Sequence, residues 1–558
     1  MDNFTIADNL SLLGRLMDIH GENAFKAKSY STAAFNIEKL PVQLAEVPRD
    51  RIAGLKGIGE SVQRKVVEML DTGSLQALSD LVAKTPPGVL EMLQIKGLGP
   101  KKIHTIWKEM GIESIGELLY ACNENRLTLY KGFGEKTQRN VQEAIEFYQR
   151  NQGIFLYAQL ESFATELGNQ LREAFPGEKF LETGAYRRQL ETLEELAWCT
   201  TLASAELKTF LTGAGFQVTE TRDDLIRFRG TGQPALCFYP VPAAQIYSTL
   251  FQTSASEEFL EAWNNLFGRQ TRDCPSEEAL FEQAGLPYIP PAMREKATVL
   301  ARARTGQLPR PVQPGDVRGL IHSHSNWSDG VHTIEEMARE LQRRNFEYLV
   351  ISDHSRSAFY ANGLSEDRIR EQHRYIDELN RQLHPFRIFK SIECDILNDG
   401  SLDYPDPVLA GFDLVIASIH SNLKMTGEKA MARLLKALAN PYVTILGHMT
   451  GRLLLSRHGY PVDHQRIIEA CAAAQVVIEL NAHPRRLDID WRWIEPALEA
   501  GVLISIDPDA HAVEGFDDIR YGVLVAQKAG LTPDRNLSSF TLKEMEAFLA
   551  RRREARGI

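Results

Sequence analysis

The chain has 558 residues, 43% of them hydrophobic and 25% charged, which at about 150 residues per domain implies three or four modules and excludes disordered, collagen-like and disulfide-stapled classes. A net charge of −11 excludes a protein that coats nucleic acid by bulk charge, so partners must be read from local sites. Six scattered cysteines with no C-x-x-C pair and no apolar run near the ~18 residues of a membrane span point to a cytoplasmic protein. Histidine is unevenly placed. Of 14, only His20 and His104 precede residue 320, so something in the last part of the chain needs imidazole.

Three early segments share one phrase: LKGIGESVQRKV at 55–66, IKGLGPKKIHTI at 95–106 and YKGFGEKTQRNV at 130–141. Each reads as a short helix ending in Lys, then Gly-x-Gly, then a second helix that starts at once. Glycine supplies the tight turn, and the following helix N-terminus turns unpaired N–H groups toward an anion. The phrase resembles the helix-hairpin-helix module, which grips DNA backbone without reading sequence. That resemblance assigns DNA contacts to Gly57, Gly59, Gly97, Gly99, Lys101, Gly132 and Gly134. Residues 51–150 carry a charge of +2, in keeping with weak backbone binding.

Residues 155–285 alternate helix-period text (LYAQLESFATELGNQLREAF) with strand-like runs such as LIRFRG and ALCFYPV. Six prolines between Pro287 and Pro314 then read as an interdomain linker. After it, seven apolar runs (GLIHSH, YLVISDH, FRIFKSIE, LVIASIH, VTILGH, VVIELN, VLISIDPDAH) are separated by helical stretches, the pattern of parallel strands with crossovers closing into a barrel. Catalytic groups of such barrels sit at the C-terminal ends of strands. The runs end there in His322, His324, His354, Glu393, His420, His448, Asp509 and His511, with Asp329 just beyond the first. Imidazole and carboxylate together suit zinc, manganese or iron, and nine such groups suffice for two to three divalent ions. Arg452 and Lys424 are candidates for holding substrate phosphate.

This pattern resembles the polymerase and histidinol phosphatase (PHP) family of metal-dependent phosphoesterases over about residues 315–558. The resemblance groups His322, His324, Glu393 and Asp509 on one metal, Glu393, His420 and His448 on a second, and Asp329, His354 and His511 on a third. The opening DNLSLLGRLMDIHGENAFKAKSYSTAAFNIEKLP and TGAYRRQLETLEELAW at 183–198 resemble, in turn, the DNA-binding domain and nucleotidyltransferase motif of family X DNA polymerases. Bacterial members carry the same domain order. The motif is degenerate: where the family has a serine and three metal-binding aspartates, this chain has Ala185, Glu195, Ala197 and Ala235. Gly184, Arg187 and Arg188 persist, which leaves phosphate binding open, though the simplest reading is a retained scaffold without polymerase activity. Lys65 falls where lyase-active members carry a Schiff-base lysine.

The expected architecture is multidomain. Residues 1–85 form a helical DNA-binding domain, 86–150 a helix-hairpin-helix region, 151–285 a degenerate α/β (α+β) nucleotidyltransferase region, 286–315 a linker and 316–558 a distorted (β/α)7 PHP barrel. The function expected is a monomeric DNA repair protein that hydrolyses phosphodiesters at a 3′ end of gapped or nicked DNA with manganese or zinc, its polymerase core inactive. The rivals are an active gap-filling polymerase with proofreading, a small-molecule phosphatase, and a non-catalytic DNA-end binder.

Overall fold

The computed structural model describes residues 1–558 except 39, 41, 56, 151, 152, 231, 232 and 270–272. It divides into two compact units, Met1–Tyr148 and Gln149–Ile558. Among the described residues no helix is long and apolar enough to cross a membrane.

The first unit is helical. One apolar core runs from Ile6 to Ile145, so the boundary expected at 85/86 does not divide it. Helix Asn3–His20 is tied to the second repeat, with Arg15 donating to the Leu93 carbonyl at 3.0 Å and His104 to that of Ile19 at 2.9 Å. All three repeats form hairpins. Gly57, Gly97 and Gly132 have φ of 84°, 90° and 95°, a left-handed turn that glycine adopts at little cost. Gly59 and Gly99 cap helices Glu60–Thr72 and Pro100–His104 with extended backbone. Lys96 and Lys131 sit in the turns rather than at helix ends, and Lys56 lies outside the described residues.

In the second unit, strands β1 (Phe180–Thr183), β2 (Glu195–Thr200), β3 (Gln217–Thr221), β4 (Ile226–Arg229) and β5 (Ala235–Pro240) form a mixed sheet in the order β1-β2-β5-β4-β3. The parallel β2–β5 register places Glu195 beside Ala235. The proline-rich segment is not a linker. Leu286, Ile289, Met293, Val299, Leu300 and Ala303 are buried in one core with Phe251, Phe259, Trp263 and Phe281, and prolines open short helical turns there (Pro291–Met293, Pro314–Asp316) instead of keeping the chain extended.

All seven expected barrel strands form: β6 (Gly319–Ser323), β7 (Tyr348–Ile351), β8 (Arg387–Asp395), β9 (Leu414–Ser418), β10 (Val443–Leu446), β11 (Val477–Asn481) and β12 (Ile504–Asp507). Each pairs in parallel with the next. The ring closes where Ser323 bridges Ala510. Side chains alternate across each strand. Leu349, Ile388, Val415 and Ile478 face the surrounding helices, while Tyr348, Phe389, Leu414, Ile445 and Val477 fill the interior over Met545 and Leu549 of the last helix, Leu542–Arg556. The same two-residue period carries Glu393 and Glu479 inward.

Candidate active site

The barrel strands end at one mouth, and Glu393 stands at its centre. Its Oε1 lies 2.9 Å from His448 Nε2, 3.1 Å from His420 Nε2 and 3.4 Å from His322 Nε2. Its Oε2 lies 3.0 Å from His354 Nδ1 and 3.6 Å from His324 Nε2. Asp509 Oδ1 is 3.1 Å from His324 and 3.5 Å from His322, and Asp329 is 3.6 Å from both His354 and His511. All nine candidate ligands thus converge.

Donor atoms lie within 4.8 Å of one another in three sets: His324, Asp329, His354 and His511; His322, His324 and Asp509; His354, Glu393 and His420. These differ from the expected grouping in giving His324 and His354 two neighbourhoods each, and in leaving His448 to approach through Glu393 alone. His322 and Asp509 have positive φ, 59° and 53°, an unusual backbone for side chains with a Cβ, held here because it turns both groups into the mouth.

The donor set fits divalent cations. His322 Nε2, His324 Nδ1, Glu393 Oε2 and both Asp329 oxygens are buried without a hydrogen-bond partner, and such groups are costly unless something else meets them. Burial opposes ionisation of Glu393, yet His420, His322 and His354 hold its carboxyl well below the usual range. Burial likewise opposes protonation of His322, but Glu479, Asp509 and Glu393 push it well above the usual imidazole value. His324 moves down, through burial and through its neighbours His511 and His354.

Two orienting carboxylates were missed from the sequence. Glu479 accepts from His322 Nδ1 at 2.5 Å, and Asp395 from His420 Nδ1 at 2.7 Å. Each fixes the ring so that Nε2 faces Glu393. The signal for Glu479 was present in VVIELN, where a carboxylate sits mid-strand on the inward period with Val477 and Asn481. Arg486 was also missed; its Nε lies 3.5 Å from Asp509. Arg452 is not available for phosphate: it donates to Asp490 at 2.6 Å and to the carbonyls of Arg486 and Leu487.

In the mixed sheet, Gly184, Ala185, Glu195, Ala197 and Ala235 line one cavity of about 830 Å³ with Arg227 and Arg229. The three positions where the family motif has aspartates therefore face a common space. Arg227 donates to Glu195 at 3.0 Å and to Glu220 at 2.6 Å, so the one remaining carboxylate is already paired with a guanidinium. Arg187 and Arg188, for which phosphate binding was open, are consumed elsewhere. Arg187 makes a bidentate pair with Glu277 at 3.0 and 2.7 Å, and Arg188 meets Glu295 at 3.2 Å.

Glu277 is buried and also meets Arg294 at 2.5 Å. Burial would raise its pKa, but Arg187 and Arg294 pull it down to about 2 from 4.5. A depressed carboxylate stabilises the fold above its unfolded pKa and loses that contribution as pH falls through the folded one. Glu277→Gln should cost roughly 3 kcal/mol at neutral pH, since it leaves the buried Arg294 and the half-buried Arg187 short of a charged partner. The cost should fade between pH 4.5 and about 2, as denaturant melts at several pH values would report.

Lys65, expected as a Schiff-base nucleophile, donates to Glu68 at 3.2 Å on a half-buried helix face. It is engaged in an ion pair and does not present a free amine. Among the repeat glycines, Gly59, Gly97, Gly99, Gly132 and Gly134 have nothing within 4 Å of an added Cβ, so a ligand backbone can approach them closely. Gly57 differs, since a Cβ there would lie 2.1 Å from Asn36. Gly99→Val and Gly134→Val avoid the left-handed positions and test approach alone. Binding to every DNA sequence should weaken alike, with the salt slope reduced by about one unit per lost phosphate contact; fluorescence anisotropy at several salt concentrations measures both.

Comparison with known proteins agrees with this layout. Residues 1–75 match a helix-hairpin-helix domain model, and residues 89–146 a SAM-like helix-hairpin-helix tandem. The chain is 32% identical, across 97% of its length and 98% of the other's, to a DNA polymerase/3'-5' exonuclease PolX of Bacillus subtilis. A probable phosphatase of Thermoanaerobacter is 26% identical over 42% of this chain, and one of Caldanaerobacter subterraneus 26% over 43%.

Proposed function

The chain belongs to the PolX family of DNA polymerase/3'-5' exonucleases, and from that premise we propose that it is a DNA repair hydrolase whose barrel removes nucleotides from 3′ ends while its polymerase core is inactive. The observation that carries the reading is the contrast between its two sites. Around Glu393 five imidazoles and two further carboxylates converge, whereas of the three aspartate positions facing the mixed-sheet cavity only Glu195 keeps a carboxylate, and it is paired with Arg227.

His322, His324, Glu393 and Asp509, with His354, His420, His448, Asp329 and His511 around them, would hold two to three manganese or zinc ions. Bound ions would supply an activated water and neutralise charge on the phosphate. The protein's own part is orientation and exclusion. Glu479 and Asp395 keep His322 and His420 oriented toward Glu393, and Arg486, 3.5 Å from Asp509, offsets part of that carboxylate's charge. The hairpin repeats hold gapped or nicked duplex by its backbone, and the chain acts as a cytoplasmic monomer.

The test is purified protein with a labelled primer-template and manganese, with and without deoxynucleotides. The reading expects shortening from the 3′ end in both cases. Extension when deoxynucleotides are present would favour the active gap-filling polymerase instead.

A further inference from the structure

Beyond the ligand His354 the chain makes a tight loop. Its base is pinned where Leu364 donates to the His354 carbonyl at 2.9 Å and Ser355 to that of Glu393 at 3.1 Å. Gly363 is needed for this closure, because a Cβ there would lie 1.9 Å from the Ser355 oxygen. Arg368 donates to the Asn362 carbonyl at 2.7 Å and braces the far side.

The tip of this braced loop, Phe359–Ala361, carries two aromatic rings. Phe359 is 85% exposed. Tyr360 lies edge-on to it with ring centroids 6.1 Å apart, and Asn362, next after the tip, donates to the Trp327 carbonyl at 3.2 Å, two residues before the candidate ligand Asp329. A lone exposed apolar side chain is ordinary on a protein surface. A ring carried on a braced loop, five residues from one candidate metal ligand and tied beside a second, stands where substrate approaches the mouth.

We infer that Phe359 is the platform on which the nucleobase beside the scissile phosphate stacks, and so a positioning residue that makes a general phosphoesterase barrel prefer nucleic-acid ends. This rests on the reading of the barrel as a DNA hydrolase. Stacking fits the ligand better than hydrogen bonding would, because every base offers a π-face and an end-trimming enzyme must accept all four. It also separates this barrel from a small-molecule phosphatase, which has no base to place.

The experiment compares two single-stranded oligonucleotides that differ only at the 3′ terminus, one natural and one ending in a tetrahydrofuran abasic residue, with the full chain and manganese. Phe359→Ala should raise KM for the natural end about five- to hundredfold, the range of one base–aromatic stack, with kcat unchanged. On the abasic end it should change nothing, and Phe359→Trp should restore the natural-end KM. An equal effect on both ends, or none on the natural end, would overturn the role of Phe359 while leaving the barrel a DNA hydrolase. Failure of the wild-type protein to release nucleotides from either end would overturn the hydrolase reading itself, and this assignment with it.

Discussion

Glu393→Gln should lower the proposed release of 3′ nucleotides by on the order of a thousandfold or more, a barrier increase of about 4 kcal/mol, while affinity for gapped duplex should stay unchanged. The size follows from the position. Among the described residues Glu393 alone is within 3.6 Å of five imidazoles, so the substitution removes the negative charge those five share. Metal content after dialysis, measured by mass spectrometry, should fall in parallel with rate. Anisotropy with gapped DNA checks that binding is retained. Rapid hydrolysis by this variant would move the catalytic centre away from Glu393.

Wild-type protein, and the Glu393→Gln variant in which primer loss cannot mask synthesis, should add no templated nucleotide under magnesium or manganese. Metal ions in such a reaction bind the triphosphate and activate the 3′ hydroxyl. Ala197 and Ala235 offer no ligand, and Glu195 gives its carboxylate to Arg227 at 3.0 Å. The loss should amount to many orders of magnitude against an ordinary polymerase. Restoring aspartates at 195, 197 and 235 leaves Arg227 in the same cavity, so its guanidinium would compete with the ions. Extension should therefore appear more readily when Arg227→Ala is added. Gel electrophoresis of a labelled gapped primer reads all of these, and robust extension by the unaltered core would overturn the inactive reading.

The sequence by itself determined the parts with a short period or a local rule. The Gly-x-Gly turns were legible because φ near 90° at Gly57, Gly97 and Gly132 is a property of the glycine itself. The seven barrel strands were legible because parallel buried strands write continuous apolar runs, and eight of the nine candidate ligands because they stand at the ends of such runs, with Asp329 just beyond the first.

What needed the tertiary structure was everything decided by partners distant in sequence. Arg187 and Arg188 looked available for phosphate until Glu277 and Glu295, roughly a hundred residues later, were found on them. Glu479 and Asp395 gained meaning only when folding brought them to the far nitrogens of His322 and His420. The prolines from Pro287 to Pro314 suggested an extended linker because local propensity is blind to the aromatic core of Phe251, Trp263 and Phe281, whose burial of neighbouring apolar side chains overrides it. Local backbone preference can be read residue by residue, whereas hydrogen bonding and burial are settled by whichever groups the completed fold places within reach.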